Sequence, residues 1–284
     1  MEIGAWLTES NSIGRCKHRP GRAIIRAMRL PNPNIAGKRA LQLANRVASL
    51  VLPHRCLSCR TLMPDANGLC VDCWGQLTFL GEPCCTLCGY PFELSEGRDA
   101  LCAACTFRRP AYDKARAVFA YDDTSRDLIL AFKHGDHTEN APALAAWLVR
   151  AAGGLARDAD IVAPVPLHRK RLRQRRFNQS ALIAQQAARH WQRDYYPDLL
   201  QRQRATASQG NLGFSARRRN VRQAFGVSEK YRNAIEGRTI LLIDDVLTTG
   251  ATVEECSRIL KRHGARQVYV ATLARVPSPH TSPG

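Results

Sequence analysis

The stretch ILLIDDVLTTGAT, residues 240 to 252, ends an apolar run with two adjacent acids, Asp244 and Asp245, and continues into a threonine-rich turn. The apolar part predicts a buried strand, and in an open parallel sheet ligands bind beyond the carboxyl ends of the strands. Backbone N–H groups in such a turn, and at the start of the helix that follows, can hold a phosphate. The acids suit a neighbouring group that donates hydroxyls, either directly or through Mg²⁺. The stretch therefore indicates a site for a ribose 5-phosphate.

A purely structural interpretation of the same residues stays open. In that interpretation the acids stabilise the N-terminus of the next helix, and the threonines only form a turn. Each feature alone favours the structural interpretation. Both features, in this order on one element, favour the ligand site.

Around this stretch, short β-rich runs alternate with helical patterns from about residue 110 onward. The predicted strands are residues 115–121, 160–165, 239–244 and 268–273. The predicted helices are residues 124–133, 140–152 (closed by Gly153 and Gly154), 179–192 and 252–263 (closed by Gly264). Strands that are apolar almost throughout, alternating with helices, predict a mostly parallel sheet that is covered on both faces. We therefore expect an α/β domain over residues 110–276.

The charge of the chain favours an anionic partner. Its 284 residues carry a formal net charge of +18, which suits nucleic acid or phosphorylated small molecules, although a solvated basic surface is the simpler alternative. Two predicted loops concentrate this charge. Residues 169–176 hold six positive side chains and no acid, and six arginines but no acid lie between Asp198 and Glu229. These loops indicate a local anion site.

Eight of the eleven cysteines form four Cys-x2-Cys pairs within a segment, residues 54–108, that we expect to be a double zinc ribbon. The paired cysteines are Cys56, Cys59, Cys70, Cys73, Cys85, Cys88, Cys102 and Cys105. Two such turns complete a tetrahedral zinc site, so four turns predict two sites. The alternatives are a dithiol redox motif, which needs only one pair, and ordinary core cysteines. With four sulfur ligands an ion has no open position, so both zinc ions are predicted to be structural.

The pairing of these turns is less constrained by the sequence. Sequential pairing needs only local loop closure, whereas an interleaved ribbon would combine distant pairs, and we favour the sequential version. Cys84 could replace Cys85 as a ligand. Cys16 and Cys256 have no partner cysteines, so we interpret them as a thiol of an N-terminal arm and a helix-packing residue.

The ends of the chain have different patterns. Residues 1–35 are basic and aperiodic, which predicts a disordered arm, an upstream start-codon artefact or, less readily, an organellar presequence. Residues 36–53 have an apolar face at helical spacing and end at Pro53, and residues 277–284 predict a frayed tail. With no secretory signal and no uncharged apolar run of about 18 residues, we expect a cytoplasmic protein without a membrane span.

The sequence resembles a known family. ILLIDDVLTTGAT closely resembles the phosphoribosyl pyrophosphate motif of type I phosphoribosyltransferases. Three further stretches narrow the resemblance to the ComF/GntX family: LILAFKHGD (128–136), VPLHRKRLRQRRFNQS (165–180) and RATASQGNLGFSARRRNVRQAF (204–225). The double zinc ribbon is also typical of that family. The resemblance covers about residues 50–276 and implies a parallel-sheet type I phosphoribosyltransferase domain after a small Cys-rich double ribbon.

The resemblance implies roles for individual residues. Asp244 and Asp245 would be the catalytic pair that binds the ribose 2′- and 3′-hydroxyls. The 5-phosphate turn would comprise Thr248, Thr249, Gly250, Ala251 and Thr252. The loop facing pyrophosphate would comprise Pro164, Val165, Pro166 and Leu167. The cations on the substrate would include Lys133, Arg169, Arg173 and Arg176. A mobile segment that closes over the site and excludes water would contain Arg204, Gln209 and Arg219.

Two departures from the family pattern affect these roles. Family members commonly have RGFNQ where this chain has RRFNQ, so Arg176 replaces a glycine and could crowd the loop or add a charge to the anion site. Purine-salvage relatives place an acid where this chain has Thr248, which argues against ordinary purine salvage.

Three functions are compatible with the resemblance. The first is Mg²⁺-dependent transfer of a phosphoribosyl group to an unknown acceptor. The second is a non-catalytic competence factor that binds single-stranded DNA and works with DNA-uptake proteins in natural transformation. The third is an adaptor whose zinc ribbon docks another protein. The intact acid pair and phosphate turn argue against a vestigial nucleotide site and so against the third.

Overall fold

The structure is a computed structural model that describes residues 54–276 apart from 64–67, 95–96, 98, 135–137, 176, 205–218 and 220. Within its helices, the side chains of residues 134, 170, 174 and 175 are also not described. The predicted arm (1–35), first helix (36–53) and tail (277–284) lie outside these residues.

A five-stranded parallel sheet forms the centre of the fold. Its strands are β3 (Lys114–Ala120), β4 (Ile161–Pro164), β5 (Asp194–Tyr195), β8 (Thr239–Leu247) and β9 (Gln267–Arg275). They lie side by side in the order β3-β9-β8-β4-β5. Two antiparallel pairs complete the strands: β1 (His54–Arg55) with β2 (Leu62–Met63), and β6 (Leu200–Arg202) with β7 (Phe225–Val227).

The central strand β8 is buried on both faces. Leu241 and Ile243 pack into one hydrophobic cluster, whereas Ile240 and Leu242 pack into another, because successive side chains point to opposite faces of a strand. All four side chains are fully buried. The predicted parallel sheet with two covered faces is therefore confirmed.

Helices cover the two faces of this sheet. The described α-helices are α1 (Val71–Gly75), α2 (Ala103–Phe107), α3 (Asp123–His134), α4 (Ala141–Asp158), α5 (Arg169–Arg175), α6 (Gln179–Trp191) and α7 (Ala251–Arg262). Short 3-10 helices cover Thr138–Asn140 and Glu229–Ala234. Helices α3, α4 and α6 contribute to the cluster on the first face, and α7 contributes to the cluster on the second. None of the helices in the described part of the chain has the length and apolar character to cross a membrane.

Helix α4 does not end where the sequence predicted. Gly153 and Gly154 were expected to close it, but the helix continues to Asp158. Leu155 and Ala156, which follow the glycines, are buried in the core. Each glycine costs a helix about 1 kcal/mol relative to alanine, and burial of the following turn offsets that cost.

Two further boundaries differ from the prediction. Strand β8 extends to Leu247, beyond the expected end at residue 244, because β9 is also longer and pairs with it up to Arg275. The two acids are therefore the sixth and seventh of its nine residues and lie within the strand. The basic segment expected to be a loop forms helix α5, Arg169–Arg175, whose Arg, Lys, Leu and Gln residues are good helix formers.

The cysteine-rich segment covers the edge of the sheet at β3. Residues 78–80 run antiparallel to that strand, with hydrogen bonds from Ala120 N–H to Thr78 O and from Leu80 N–H to Val118 O, both 2.8 Å. Farther along the edge, Ala115 N–H donates to Leu87 O at 2.6 Å. These contacts fill hydrogen-bonding positions that would otherwise face solvent.

Gly89 lies beside the backbone of β3. Its φ of +67° belongs to the left-handed region that favours glycine. A Cβ atom at this position would lie 2.7 Å from the carbonyl oxygen of Ala115, which is backbone and cannot rotate away. Both conformation and space therefore require glycine here.

We expect Gly89→Ala to lower the free energy of unfolding by more than Gly237→Ala does. Gly237 is the matched control because its φ is +68° and an added Cβ would meet nothing within 4 Å. The control should lose about 1–2 kcal/mol from backbone strain alone, and Gly89→Ala should lose more because of the clash. Urea unfolding measures both values. Equal losses would show that the contact with Ala115 does not constrain the fold.

Candidate functional site

A cavity of about 530 Å³ lies at the carboxyl edge of the sheet, and we call it the sheet-edge cavity. It is lined by the acid pair, by the turn that follows, by the loop after β4 and by several cations. Its residues are Tyr121, Lys133, Val165, Pro166, Leu167, Arg171, Arg202, Asp244, Asp245, Val246, Leu247, Thr248, Gly250, Ala251, Thr252, Val253 and Val276. The structure thus brings together most of the residues predicted to bind substrate.

Asp244 lines this cavity and is held by two hydrogen bonds. Its Oδ1 accepts from the backbone N–H of Asp245 at 2.9 Å and from the hydroxyl of Ser180 at 3.3 Å. Removal of this carboxyl from water raises its pKa to about 7, and the negative charge of Asp245 contributes in the same direction. Asp244 therefore titrates close to neutral pH.

Asp245 forms an ion pair with Lys133, in which Nζ and Oδ2 are 2.8 Å apart. Both side chains are partly shielded, with exposed fractions of 16% for the lysine and 20% for the aspartate. Lys133 comes from the end of α3, so this pair joins that helix to β8. The positive charge of Lys133 also partly neutralises the acid pair. It lowers the pKa of Asp244, whereas burial raises that pKa.

The threonine-rich turn leads directly into α7. Gly250 is the N-cap of that helix, with φ of 75° in the left-handed region. Its carbonyl accepts the first helical hydrogen bond, from Glu254 N–H at 2.8 Å. The N–H groups of the first turn of a helix have no partners within the helix, so this end favours an anion.

Three consecutive side chains at the start of α6 position separate parts of the cavity. Asn178 donates from Nδ2 to Val165 O at 3.1 Å, and Gln179 donates from Nε2 to Lys133 O at 3.1 Å. Ser180 binds Asp244, as described above. Residues 164–167 comprise the last residue of β4 and the start of the loop after it, and we call them the PVPL loop. The FNQS stretch, residues 177–180, therefore fixes the PVPL loop, the end of α3 and the acid pair relative to one another.

Several predicted substrate residues lie elsewhere. Thr249 belongs to the threonine-rich turn and Pro164 to the PVPL loop, but neither lines the cavity. Thr249 Oγ1 accepts a hydrogen bond from Ala251 N–H at 3.4 Å. Arg169 lines a neighbouring cavity, and Arg173 is exposed on α5. Arg204, Gln209 and Arg219 were predicted to belong to a segment that closes over the site, and Arg176 was predicted to lie beside the pyrophosphate loop. Arg204 is exposed and donates to Arg222 O, Arg219 lines a third cavity, and Arg176 and Gln209 lie outside the described residues.

The sequence did not identify three side chains of the site. Ser180 lies within a quoted motif, but nothing in the sequence indicated its bond to Asp244. Arg171 was considered only as part of a basic loop, and it reaches the cavity because that segment is a helix. Arg202 comes from the three-residue strand β6, which is too short to give a periodic pattern. Burial lowers the pKa of Arg202, but a guanidinium keeps its charge at neutral pH.

The eight paired cysteines form two clusters of four in the order that sequential pairing predicts. Cys56, Cys59, Cys70 and Cys73 form the first, and Cys85, Cys88, Cys102 and Cys105 form the second. Within each cluster all Sγ atoms lie within 4.8 Å of one another. The Cys59–Cys70 and Cys88–Cys102 sulfur pairs are both 3.6 Å apart. Zn–S bonds of about 2.3 Å in a tetrahedron place sulfurs about 3.8 Å apart, so both clusters fit zinc.

The other described cysteines are not part of these clusters. Cys84 lies outside the second cluster, so Cys85 is the ligand candidate. Cys256 is fully buried in α7 and packs in the hydrophobic cluster on the second face, as predicted. Cys16 lies outside the described residues.

Comparisons with known proteins agree with this two-part organisation. A model of the double zinc ribbon domain matches residues 47–106, and a model of the phosphoribosyl transferase domain matches residues 195–282. These matches confirm the predicted fold class, a parallel-sheet phosphoribosyltransferase domain preceded by a small Cys-rich double zinc ribbon.

Three relatives are similar over most of the chain. Competence protein F of Haemophilus influenzae is 30% identical over 78% of this chain and 96% of that protein. DNA utilization protein YhgH of Escherichia coli is 33% identical over 80% of this chain and 99% of that protein. Competence protein ComFC of Bacillus subtilis is 27% identical over 75% of this chain and 86% of that protein.

We expect the purified protein to contain two zinc ions per chain, because each cluster supplies four sulfur ligands. Cys59→Ser should lower the content to one ion and also lower the melting temperature. Cys84→Ser, which changes a cysteine outside both clusters, is the control and should keep two ions. Elemental analysis by mass spectrometry measures the content. Two ions in Cys59→Ser, or one in Cys84→Ser, would contradict this assignment of ligands.

Asp244→Asn should stabilise the protein above pH 7. The folded pKa of about 7 exceeds the ordinary 3.8, so between these values the folded state binds more protons than the unfolded state and stability falls as the pH rises. We expect the variant to exceed the wild type by at least about 1 kcal/mol at pH 8. At pH 5 the wild-type carboxyl is protonated, so the difference should shrink. Urea unfolding at both pH values measures it.

Asp123→Asn is the control for this comparison. It removes the same charge from a side chain that is 96% exposed, so it should change stability little at either pH. If both variants gained equally at pH 8, the gain would come from net charge and not from the burial of Asp244.

Proposed function

The chain belongs to the ComF family, as the resemblance drawn from its sequence implied, and on that basis we propose that its sheet-edge cavity binds phosphoribosyl pyrophosphate with Mg²⁺. One observation carries the proposal: the acid pair, the phosphate turn and the PVPL loop contribute residues to a single cavity. A volume of about 530 Å³ is within the range of small-ligand sites.

The charges around the cavity support a ligand with phosphate at both ends. The helix N-terminus after Gly250 favours the 5-phosphate. Asp244 and Asp245 accept hydrogen bonds and suit the ribose hydroxyls between the phosphates. Arg171 and Arg202 line the same cavity, and the planar guanidinium group matches phosphate geometry well. We assign these arginines to the pyrophosphate.

In the proposed reaction, carbon 1 of the ribose bonds to a nucleophilic atom of the acceptor while its bond to the pyrophosphate oxygen breaks. Pyrophosphate leaves with the electron pair of that bond. Asp244 and Asp245 orient the sugar through its hydroxyls, and the arginines stabilise the charge that develops on the leaving group. Mg²⁺ bound with the ligand would supply further positive charge to the pyrophosphate. The protein would therefore be a phosphoribosyltransferase.

The names of the relatives extend the proposal to a cellular process. Two are competence proteins and one is a DNA utilization protein. We propose that this chain likewise serves in the uptake or use of DNA.

Single-stranded DNA binding is a second candidate function. Helix α5 carries Arg169 and Arg173 at exposed positions and contains no acid, which suits contacts with a phosphate backbone. Neither arginine is among the residues that line the sheet-edge cavity with the acid pair. Loss of sugar-phosphate binding at the acid pair should therefore leave the DNA affinity unchanged.

We expect calorimetric titration of the zinc-loaded protein to detect phosphoribosyl pyrophosphate binding that depends on Mg²⁺. The double variant Asp244→Asn and Asp245→Asn should bind at least about 100-fold more weakly, because it loses two hydrogen-bond-accepting charges. The asparagines keep the volume of the side chains and remove only their charge.

The control for this titration is the double variant Asp123→Asn and Asp127→Asn, which removes two charges from exposed positions of α3. It should bind phosphoribosyl pyrophosphate as the wild type does. Absence of binding by the folded wild type, or equal affinity in the acid-pair variant, would reject the proposed site. A dT oligonucleotide titrated into the same three proteins tests the second candidate separately.

A further inference from the structure

A third cavity, of about 440 Å³, has an unusual concentration of arginines, and we call it the arginine cavity. Its described lining combines the end of the second ribbon, the segment before β7, and α7. The residues are Arg108, Arg219, Val221, Arg222, Gln223, Ala251, Glu255, Arg258 and Arg262. Five of these nine residues are arginines, and Ala251 also lines the sheet-edge cavity. The two cavities therefore adjoin at the first turn of α7.

Two of the arginines are held rigidly by buried acids. Glu254 accepts from both Nη atoms of Arg108, at 2.6 and 3.2 Å, and it also lies 2.6 Å from Arg258. Glu255 lies 2.7 Å from Arg258 and accepts from Gln223 N–H at 2.8 Å. The two glutamate side chains are only 5% and 9% exposed. These contacts fix the arginines before any ligand arrives.

The other three arginines bring positive charge that this network does not neutralise. Among the described residues, no carboxylate lies within ion-pair distance of Arg219, Arg222 or Arg262. All three are exposed. Among the described residues, the five lining arginines and the two glutamates that contact them leave three positive charges in excess. A salt-bridge network that served stability alone would not require this excess, because like charges held close together repel.

We propose that the arginine cavity is a second anion site, which takes a ligand carrying two or more adjacent phosphate groups. Guanidinium groups bind phosphate oxygens through paired hydrogen bonds, and an ordered arginine loses less entropy on binding than a free one. No aromatic side chain is among its described lining residues, so recognition rests on phosphate and not on base stacking. The site does not depend on the acid pair and is distinct from the proposed phosphoribosyl pyrophosphate site.

Such phosphates can come from a free polyphosphate or from the backbone of a single-stranded nucleic acid. Inorganic pyrophosphate and a dT oligonucleotide are therefore the two probes, each titrated calorimetrically into the zinc-loaded protein. The test variant is Arg222→Ala with Arg262→Ala. The matched control is Arg189→Ala with Arg238→Ala, which removes two exposed arginines that are not among the lining residues and gives the same net charge as the test variant.

We expect the test variant to bind at least one probe at least tenfold more weakly, whereas the control stays within about twofold of the wild type. If the oligonucleotide is the affected probe, the slope of its affinity against salt should also fall by about 0.7 for each lost phosphate contact. If only pyrophosphate is affected, the ligand is a free polyphosphate. Arg222→Lys with Arg262→Lys keeps the charge and should recover part of the affinity, which excludes misfolding as the cause.

Failure of this inference can be distinguished from failure of the proposed function. The test variant should still bind phosphoribosyl pyrophosphate with Mg²⁺ as the wild type does, because neither arginine lines the sheet-edge cavity. The second site is rejected if the wild type binds neither probe, if the test variant binds both as the wild type does, or if the control loses as much affinity.

Discussion

The burial of β8 on both faces is the constraint on which the rest of the structure depends. A strand without a solvent-facing side must be apolar along its length, so acids can occur only where it leaves the core. Asp244 and Asp245 lie at that point, and a side chain from another element contacts each of them: Ser180 contacts the first and Lys133 the second. These partners lie on helices packed on one face of the sheet, so that face also determines the geometry of the acid pair.

The start of α6 gives this geometry its rigidity. Asn178, Gln179 and Ser180 are consecutive, yet each holds a different element: the loop after β4, the end of α3 and the acid pair. A site assembled from several loops would lose precision if each loop moved alone. Because the first turn of α6 contacts all three elements, they keep their relative positions. The site is therefore preorganised for binding.

The sequence predicted the parts of the fold that depend on strong local patterns. The apolar runs gave the parallel sheet, and the cysteine spacing gave two clusters with sequential pairing. It failed where tertiary contacts outweigh local preference, as in α4, which continues through two glycines because Leu155 and Ala156 are buried. The acid pair and the threonine-rich turn could be located from one motif. The place of Arg202 in the site and the arginine cavity could not be located in this way, because each depends on side chains from segments far apart in the chain.

The double ribbon also has a consequence for the order in which the protein is made. The residues that cover the edge strand β3, such as Thr78, Leu80 and Leu87, precede that strand in the chain. During synthesis from the N-terminus, the cover therefore leaves the ribosome before the edge that it will protect. An exposed edge strand can pair with other chains, and newly made domains are most vulnerable while they are incomplete. The order of the two parts along the gene thus shields the nascent sheet from intermolecular pairing.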